Sequence, residues 1–309
     1  MNIIILGAAG FIGTNLAIQL AQDKDNQIKL VDYSMSYFDS IKRFGFENVS
    51  LIESSFDDKT DYDSLLTNQE IVYHLFSTTN PSTSNQDISK EIVDNVLNSS
   101  RILEACVNNK IKRIVFLSSG GTVYGREDDC PIKECAGTNP ISSYGTQKLM
   151  IEKLIQLYNY NHGLDYRIIR LSNPYGPFQR PNGILGAITT FVYKAINNEE
   201  ITVYGDGSVV RDFIYIDDAI RGIQNIASSE SEYKLFNLGS GKGTSINEVL
   251  ETIRDTLGLS LKIKYEEARA VDIPINYLDV SRYRKCFNDY ECLSLQEGIK
   301  KTKEYLLTI

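Results

Sequence analysis

The chain has 309 residues, 42% of them hydrophobic, and a net charge of −8, enough apolar length for one large core or two modest ones. No basic stripe offsets that acidity, which argues against nucleic acid or an anionic membrane as partner and leaves any anionic ligand to a few placed arginines. The opening MNIIILGAAG carries four consecutive aliphatic residues and no basic leader, so neither a secretory signal nor a membrane span is expected, and the cytoplasm is the expected compartment. Five cysteines without a CxxC pair suit reduced thiols, and the two histidines, His74 and His162, make a zinc site unexpected.

In chain order, NIIIL at 2–6 reads as a strand, followed by a helix from about Thr14, then the runs IKLVD at 28–32 and EIVYHLF at 70–76. One helix is expected near 88–108, before IKRIVFLSS at 111–119. Short β-branched runs alternating with amphipathic stretches predict an α/β fold, a Rossmann-type doubly wound parallel sheet. Ser142 and Ser143 are cap candidates for the helix YGTQKLMIEKLIQLYNYNHG, which Gly163 ends, and YRIIRLS at 166–172 follows as a strand. At Asn173 the texture changes to NPYGPFQRPNG. The expected division is therefore a cofactor domain over 1–172 and a smaller α/β substrate domain over 173–309, with a helix near 216–227 apolar enough to return to the first.

GAAGFIG at 7–13 follows the first strand and opens the first helix. In that context Gly7 allows a tight turn, Gly10 a close backbone approach to a pyrophosphate, and Gly13 close packing of helix on strand. Asp32, ending the second strand, is placed to accept hydrogen bonds from an adenosine ribose diol and to repel a 2′-phosphate, which favours NAD over NADP. Tyr144 and Lys148 stand four apart near a helix start and share a face. A neighbouring ammonium is expected to lower the phenol's pKa and make Tyr144 a proton acceptor, while Lys148 also holds the nicotinamide ribose. SSGGTVYG at 118–125 leads out of a strand into small residues. Its hydroxyls at Ser118, Ser119 and Thr122 are expected beside the nicotinamide and the substrate carbon, with Gly120 and Gly121 keeping the floor low for a sugar ring.

With these motifs, HLFS at 74–77, NPYGP at 173–177, VYGDGSVVRDFIYIDD at 203–218 and ARAVDIP at 268–274, the chain resembles the extended short-chain dehydrogenases acting on nucleotide sugars, nearest the UDP-glucose (UDP-galactose) 4-epimerase group. The resemblance spans nearly the whole chain. It implies that Phe11, Ile12, Phe56, Leu75, Ser77, Thr79 and Asn95 line the NAD site, that Tyr144 is the base with Lys148 its partner, and that Asn173, Tyr204, Arg211, Arg269 and Asp272 hold the nucleotide and diphosphate of a UDP-sugar. It also implies a homodimer built on the helices near 88–108 and 144–160. Guanidinium forks suit phosphate oxygens, which agrees with the roles of Arg211 and Arg269. The position where similar epimerases carry a catalytic Ser or Thr is Gly120, and Thr122 is the expected substitute. Asn276 falls where similar enzymes border the sugar's C2 substituent, so room for a 2-acetamido group is expected. The implied reaction oxidises the sugar transiently to a 4-keto form. Dehydratases and decarboxylases of this kind place acids where Gly120 and Gly121 stand, reductases that also epimerise need further acid-base groups, and a non-catalytic NAD sensor has no use for Tyr144 with Lys148.

Overall fold

The computed structural model describes residues 1–308 except 82, 128, 182–185, 269–272 and 289–290. Its strands are β1 (Asn2–Leu6), β2 (Gln27–Asp32), β3 (Val49–Glu53), β4 (Ile71–His74), β5 (Arg113–Ser119), β6 (Asp165–Leu171), β7 (Asn173–Tyr175), β8 (Glu200–Tyr204), β9 (Val210–Tyr215), β10 (Leu235–Leu238), β11 (Gly243–Ser245), β12 (Lys262–Glu266) and β13 (Ile275–Asn276). Seven of them form one parallel sheet in the order β10-β6-β5-β4-β1-β2-β3. Helices cover both faces, which is why Ile3 to Leu6 are wholly buried and β1 reads as an unbroken apolar run. The chain reverses its direction of travel between β1 and β4. Ligands of such sheets sit in the crevice outside the carboxyl ends of the strands at that switch.

Three elements differ from expectation. The first helix spans Phe11–Ala21 rather than starting near Thr14, because Phe11 and Ile12 already pack on the core and Gly10 in extended conformation serves as its N-cap. The single helix expected over 88–108 is a helical turn at Ile88–Glu91, a widened π turn at Ile92–Leu97 and an α-helix at Asn98–Asn108. Side chains here compete with the backbone ladder: Asn95 Nδ2 donates to Glu91 O at 3.0 Å, Asn98 Nδ2 to Asp94 O at 3.0 Å and Ser99 Oγ to Asn95 O at 2.6 Å. The third difference is the main sheet itself, which also contains β3 and β10.

The Ser143–His162 helix has the caps its sequence announces. Ser142 Oγ accepts from Gly145 N at 3.2 Å, and Gly163, left-handed at φ 71°, ends it. Beyond β6, the Ile216–Ser228 helix presents Ile216, Ala219, Ile220, Ile223 and Ile226 to the main core and packs on the first helix. A second sheet runs β11-β9-β13 with β7 also on β9, and β8 pairs with β12 apart from it. A small apolar cluster of Val123, Tyr124, Ile132, Leu278 and Val280 fastens the segment after β5 to the segment after β13.

Candidate active site

β1 runs into Gly7, where φ is +85° and a Cβ would lie 2.6 Å from Phe76 N, so only glycine fits. A Cβ at Gly13 would strike the carbonyls of Gly7 and Ala8. Gly10 is different, because the nearest atom to a Cβ there is Gly7 O at an ordinary 3.5 Å. The space in front of Gly10 is a cradle that a side chain would fill, at the N-terminus of an eleven-residue helix with no side-chain cap. Bare N–H groups and the helix dipole make that cradle fit a pyrophosphate. Asp32 closes the loop from β2, with Oδ2 accepting from Ala9 N and Oδ1 from Tyr33 N, both at 2.8 Å. Each oxygen keeps a further lone pair for a ribose diol.

Leu75, Ser77 and Thr79 leave the carboxyl end of β4 beside this loop. Ser77 Oγ donates to Thr79 O at 2.7 Å, and buried Asn95 takes Thr78 N on Oδ1 at 2.8 Å while its Nδ2 donates to Gln147 Oε1 at 2.8 Å. Gln147 in turn donates to Glu91 and Ser143, so one buried polar network fixes the β4 exit against the start of the Ser143–His162 helix. Phe11 and Ile12 lie half-buried at the first helical turn, packed on the core. Phe56 corrects expectation: its ring is buried, stacked on Phe76 at 4.6 Å, and its carbonyl accepts from Asn98 Nδ2 at 2.6 Å. That ring supports the core and does not line an open site.

Tyr144 and Lys148 project from the first turns of the Ser143–His162 helix beside the carboxyl end of β5. Lys148 Nζ lies 5.7 Å from the Tyr144 ring centroid and donates to Leu117 O at 2.9 Å. Burial pushes the Tyr144 phenol up to about 12. The expected lowering by Lys148 is thus outweighed in the protein alone. Burial also draws Lys148 down to about 8, with the Glu152 carboxylate opposing. His74, walled off by burial and facing the Lys148 charge, falls to about 3 and stays neutral, its Nε2 2.7 Å from Ser99 Oγ.

The hydroxyls after β5 are distributed differently from expectation. Ser118 directs its proton to Glu152 Oε1 at 2.5 Å, within the core. Thr122 Oγ1 is sealed from solvent without a hydrogen-bond partner, so no substrate reaches it as it stands. A Cβ at Gly120 would meet Leu278 Cδ1 at 2.5 Å and Arg170 O at 3.1 Å, so that position looks into packed protein. Ser119, the last residue of β5, is partly exposed, its hydroxyl bonds nothing among the described residues, and a Cβ added at Gly121 would make only an ordinary contact of 3.9 Å with it. Of the three hydroxyls, Ser119 is thus the one left unbonded at the strand end.

On the substrate side, Asn173 Nδ2 donates to Asp212 O at 2.9 Å, Arg211 Nη1 to Ile273 O at 2.6 Å, and Arg211 stands opposite Asn276 in the β9–β13 register. Asn276 is 2% exposed and turned inward, its Nδ2 3.4 Å from Gly120 O, which joins the second sheet to the floor after β5. Tyr204 is exposed at the end of β8 on the separate two-stranded sheet. Arg269 and Asp272 lie outside the described residues. Two residues were missed. Glu152 continues the Tyr144, Lys148 spacing by another four, a readable signal. Buried Asp212 accepts from Ser240 N and Oγ at 2.7 Å, Gly241 N at 3.2 Å and Leu278 N at 3.3 Å, tying β9 to the segments after β10 and β13. Among the described residues no cluster of His, Cys, Asp and Glu could hold a metal, and no helix is long and apolar enough to cross a membrane.

A switch-point sheet with a glycine-rich turn at a helix N-terminus, a carboxylate closing that turn and a Tyr–Lys pair at the strand ends has the architecture of nicotinamide-dependent enzymes of the extended short-chain dehydrogenase type. The chain belongs to the NAD dependent epimerase/dehydratase family, whose profile matches residues 3–239. It is 32% identical to a putative UDP-glucose 4-epimerase of Methanocaldococcus jannaschii, covering 98% of each chain. It is 30% identical to a dTDP-4-dehydro-6-deoxyglucose reductase of Escherichia coli, over 97% of this chain and 96% of the relative. The UDP-glucose 4-epimerase of Thermotoga maritima, solved with UDP-glucose, superposes with a TM-score of 0.91 at 28% identity, covering 100% of this chain and 99% of that one.

Proposed function

We propose that the chain is an NAD-dependent 4-epimerase of UDP-hexoses. The observation that carries this is the Tyr144–Lys148 pair beside a β5 exit, Ser119 to Thr122, that offers no acid to eliminate water. NAD would supply a reversible hydride acceptor for sugar C4. Gly10 and the N-terminus of the first helix would hold its pyrophosphate, with Gly7 and Gly13 shaping the turn, and Asp32 would hold its adenosine ribose. Tyr144 takes the O4 proton, and its high intrinsic pKa makes the nearby positive charges a condition of turnover. Lys148 supplies one of them and Ser119 hydrogen-bonds the reacting oxygen. Arg211 and Asn173 lie on the side expected for the nucleotide diphosphate. The test is conversion of UDP-galactose to UDP-glucose by purified protein without added cofactor. The likeness to a reductase favours a second reading, and stoichiometric consumption of added NADH with a nucleotide-linked 4-keto-6-deoxy sugar, its carbonyl taking up hydride and a proton, in place of conversion would establish it.

Acceptance of 2-acetamido sugars is part of this proposal through the resemblance at Asn276, a side chain smaller than an aromatic gate that is buried here against Gly120 O. Asn276→Tyr is expected to abolish activity on UDP-N-acetylgalactosamine while sparing UDP-galactose, and equal loss on both sugars removes the gate. A cytoplasmic homodimer fits an exposed apolar face formed by Ile88, Ile92, Val93 and Leu97 with Met150, Leu157 and Tyr160 of the neighbouring helix. Light scattering checks the dimer.

A further inference from the structure

One helical turn beyond Lys148, Glu152 is fully buried. Its Oε1 accepts from Ser118 Oγ at 2.5 Å and from Arg170 Nε at 3.1 Å, and its Oε2 from Arg170 Nη2 at 2.7 Å. Arg170 is buried too, sits opposite Ser118 in the β5–β6 register, and lies 4.7 Å over the Tyr124 ring. A buried ion pair is a poor device for stability, since a well-packed apolar replacement is often as good or better. Its place suggests another use. Ser118 follows Leu117, whose carbonyl receives the Lys148 ammonium, so the carboxylate clamps the strand that carries the lysine's acceptor and also faces the lysine along its own helix.

We propose that Glu152, held by Arg170 and Ser118, is a positioning residue for the proposed reaction, keeping the Lys148 ammonium charged and aimed beside Tyr144. The groups facing Lys148 are few: Tyr144 and Glu152 on its helix, neutral His74 from β4, the Phe116 ring and Leu117 carbonyl from β5, with Arg170 of β6 behind Glu152. Among the described residues facing the lysine, Glu152 is the acid. It opposes the burial that pulls the lysine down. Because protonated Lys148 is the form that favours the phenolate, losing Glu152 moves the alkaline fall of kcat to lower pH.

The inference rests on the epimerase reading, and the test separates the two. Glu152→Gln leaves Arg170 buried without a counter-charge and can fail to fold, so Glu152→Gln with Arg170→Met is made beside it. In the NAD-loaded protein, NMR of carbon-labelled lysine, with the Lys148 resonance identified through Lys148→Met, reads the ammonium titration without any turnover. Glu152→Gln is expected to titrate Lys148 about one pH unit lower than the parent, and the double variant lower by less because the opposing Arg170 charge is gone too, with KM for UDP-galactose unchanged and the alkaline limb of kcat displaced to match. An unshifted lysine titration overturns the proposal whether or not the protein epimerises. A parent that titrates as expected but converts no UDP-sugar overturns the epimerase reading alone. A double variant with a shifted lysine and an unshifted kcat profile removes Glu152 from the reaction.

Discussion

Adding one methyl group at Gly120 probes why this chain lacks a side chain where similar epimerases carry a hydroxyl. The backbone there is not left-handed, so alanine meets no conformational penalty of its own. Its Cβ would lie 2.5 Å from Leu278 Cδ1, 3.1 Å from Leu278 Cδ2 and 3.1 Å from Arg170 O, against about 3.5–4 Å for carbon contacts at their optimum. Leu278 is wholly buried among Val123, Tyr124, Ile132 and Val280, so it has no open volume to turn into. Overpacking of this kind costs about 1–3 kcal/mol. In a Leu278→Ala background both clashing methyls are gone. That background itself loses about 2–5 kcal/mol to the cavity, but the added methyl at 120 then costs little or partly refills it. Urea unfolding of the four proteins, parent, two singles and double, should give a coupling of about 1–3 kcal/mol. The same cost for Gly120→Ala in both backgrounds, or none in the parent, refutes the packing explanation. Gly120→Ser should likewise fail to raise turnover, because its hydroxyl would be driven into the same cluster.

Tyr144→Phe should keep NAD and UDP-sugar binding while lowering turnover about 10²- to 10⁴-fold; turnover within threefold of the parent removes Tyr144 as base. Ser119→Ala should lower kcat more than Thr122→Val, and the opposite ranking returns the hydroxyl role to Thr122. Asp32→Ala should weaken NAD retention and relax discrimination against NADP, as the repelling carboxylate is gone, whereas unchanged cofactor content and selectivity make Asp32 only a tie for Ala9 and Tyr33. Lys148 is held near 8 instead of 10.5, so folding opposes its proton at neutral pH and that penalty fades as pH rises from about 8 towards 10.5. Lys148→Met, inactive, should therefore unfold later than the parent at pH 7 and lose that advantage in alkaline buffer; a constant difference across that range contradicts the burial effect.

What could be read from the sequence was whatever the local backbone demands. Gly7 at positive φ, Gly163 as a left-handed cap, Ser142 as N-cap and Asp32 at the end of β2 each answer a need within a few residues of themselves, and each stands where its motif places it. The π turn at Ile92–Leu97 escaped because it depends on Asn95 and Asn98 choosing carbonyls of their own helix. β10 escaped because LFNL is four residues long, and its pairing with β6 is a tertiary fact. The reason for Gly120 lies 158 positions away, at Leu278. Ser118 looked like a cofactor ligand until Glu152 appeared beneath it. The phenol of Tyr144 was expected low from its neighbour's charge, whereas desolvation, a property of the whole fold, decides its value.

The strand β10 also bears on how such a chain is made. Until residue 238 has left the ribosome, β6 is the outer strand of the main sheet, with a row of unpaired backbone groups along Ile168 to Leu171 that later receives Leu235 to Leu238. An uncovered apolar edge of that kind invites strands from neighbouring chains. A fragment cut at Ser172 keeps the phosphate turn, Asp32, Tyr144 and Lys148, yet it is born with that edge open and without the Ile216–Ser228 helix that covers the first helix. Chains that end between 172 and 238 therefore carry that edge open, and it is first covered when Leu235 to Leu238 are present.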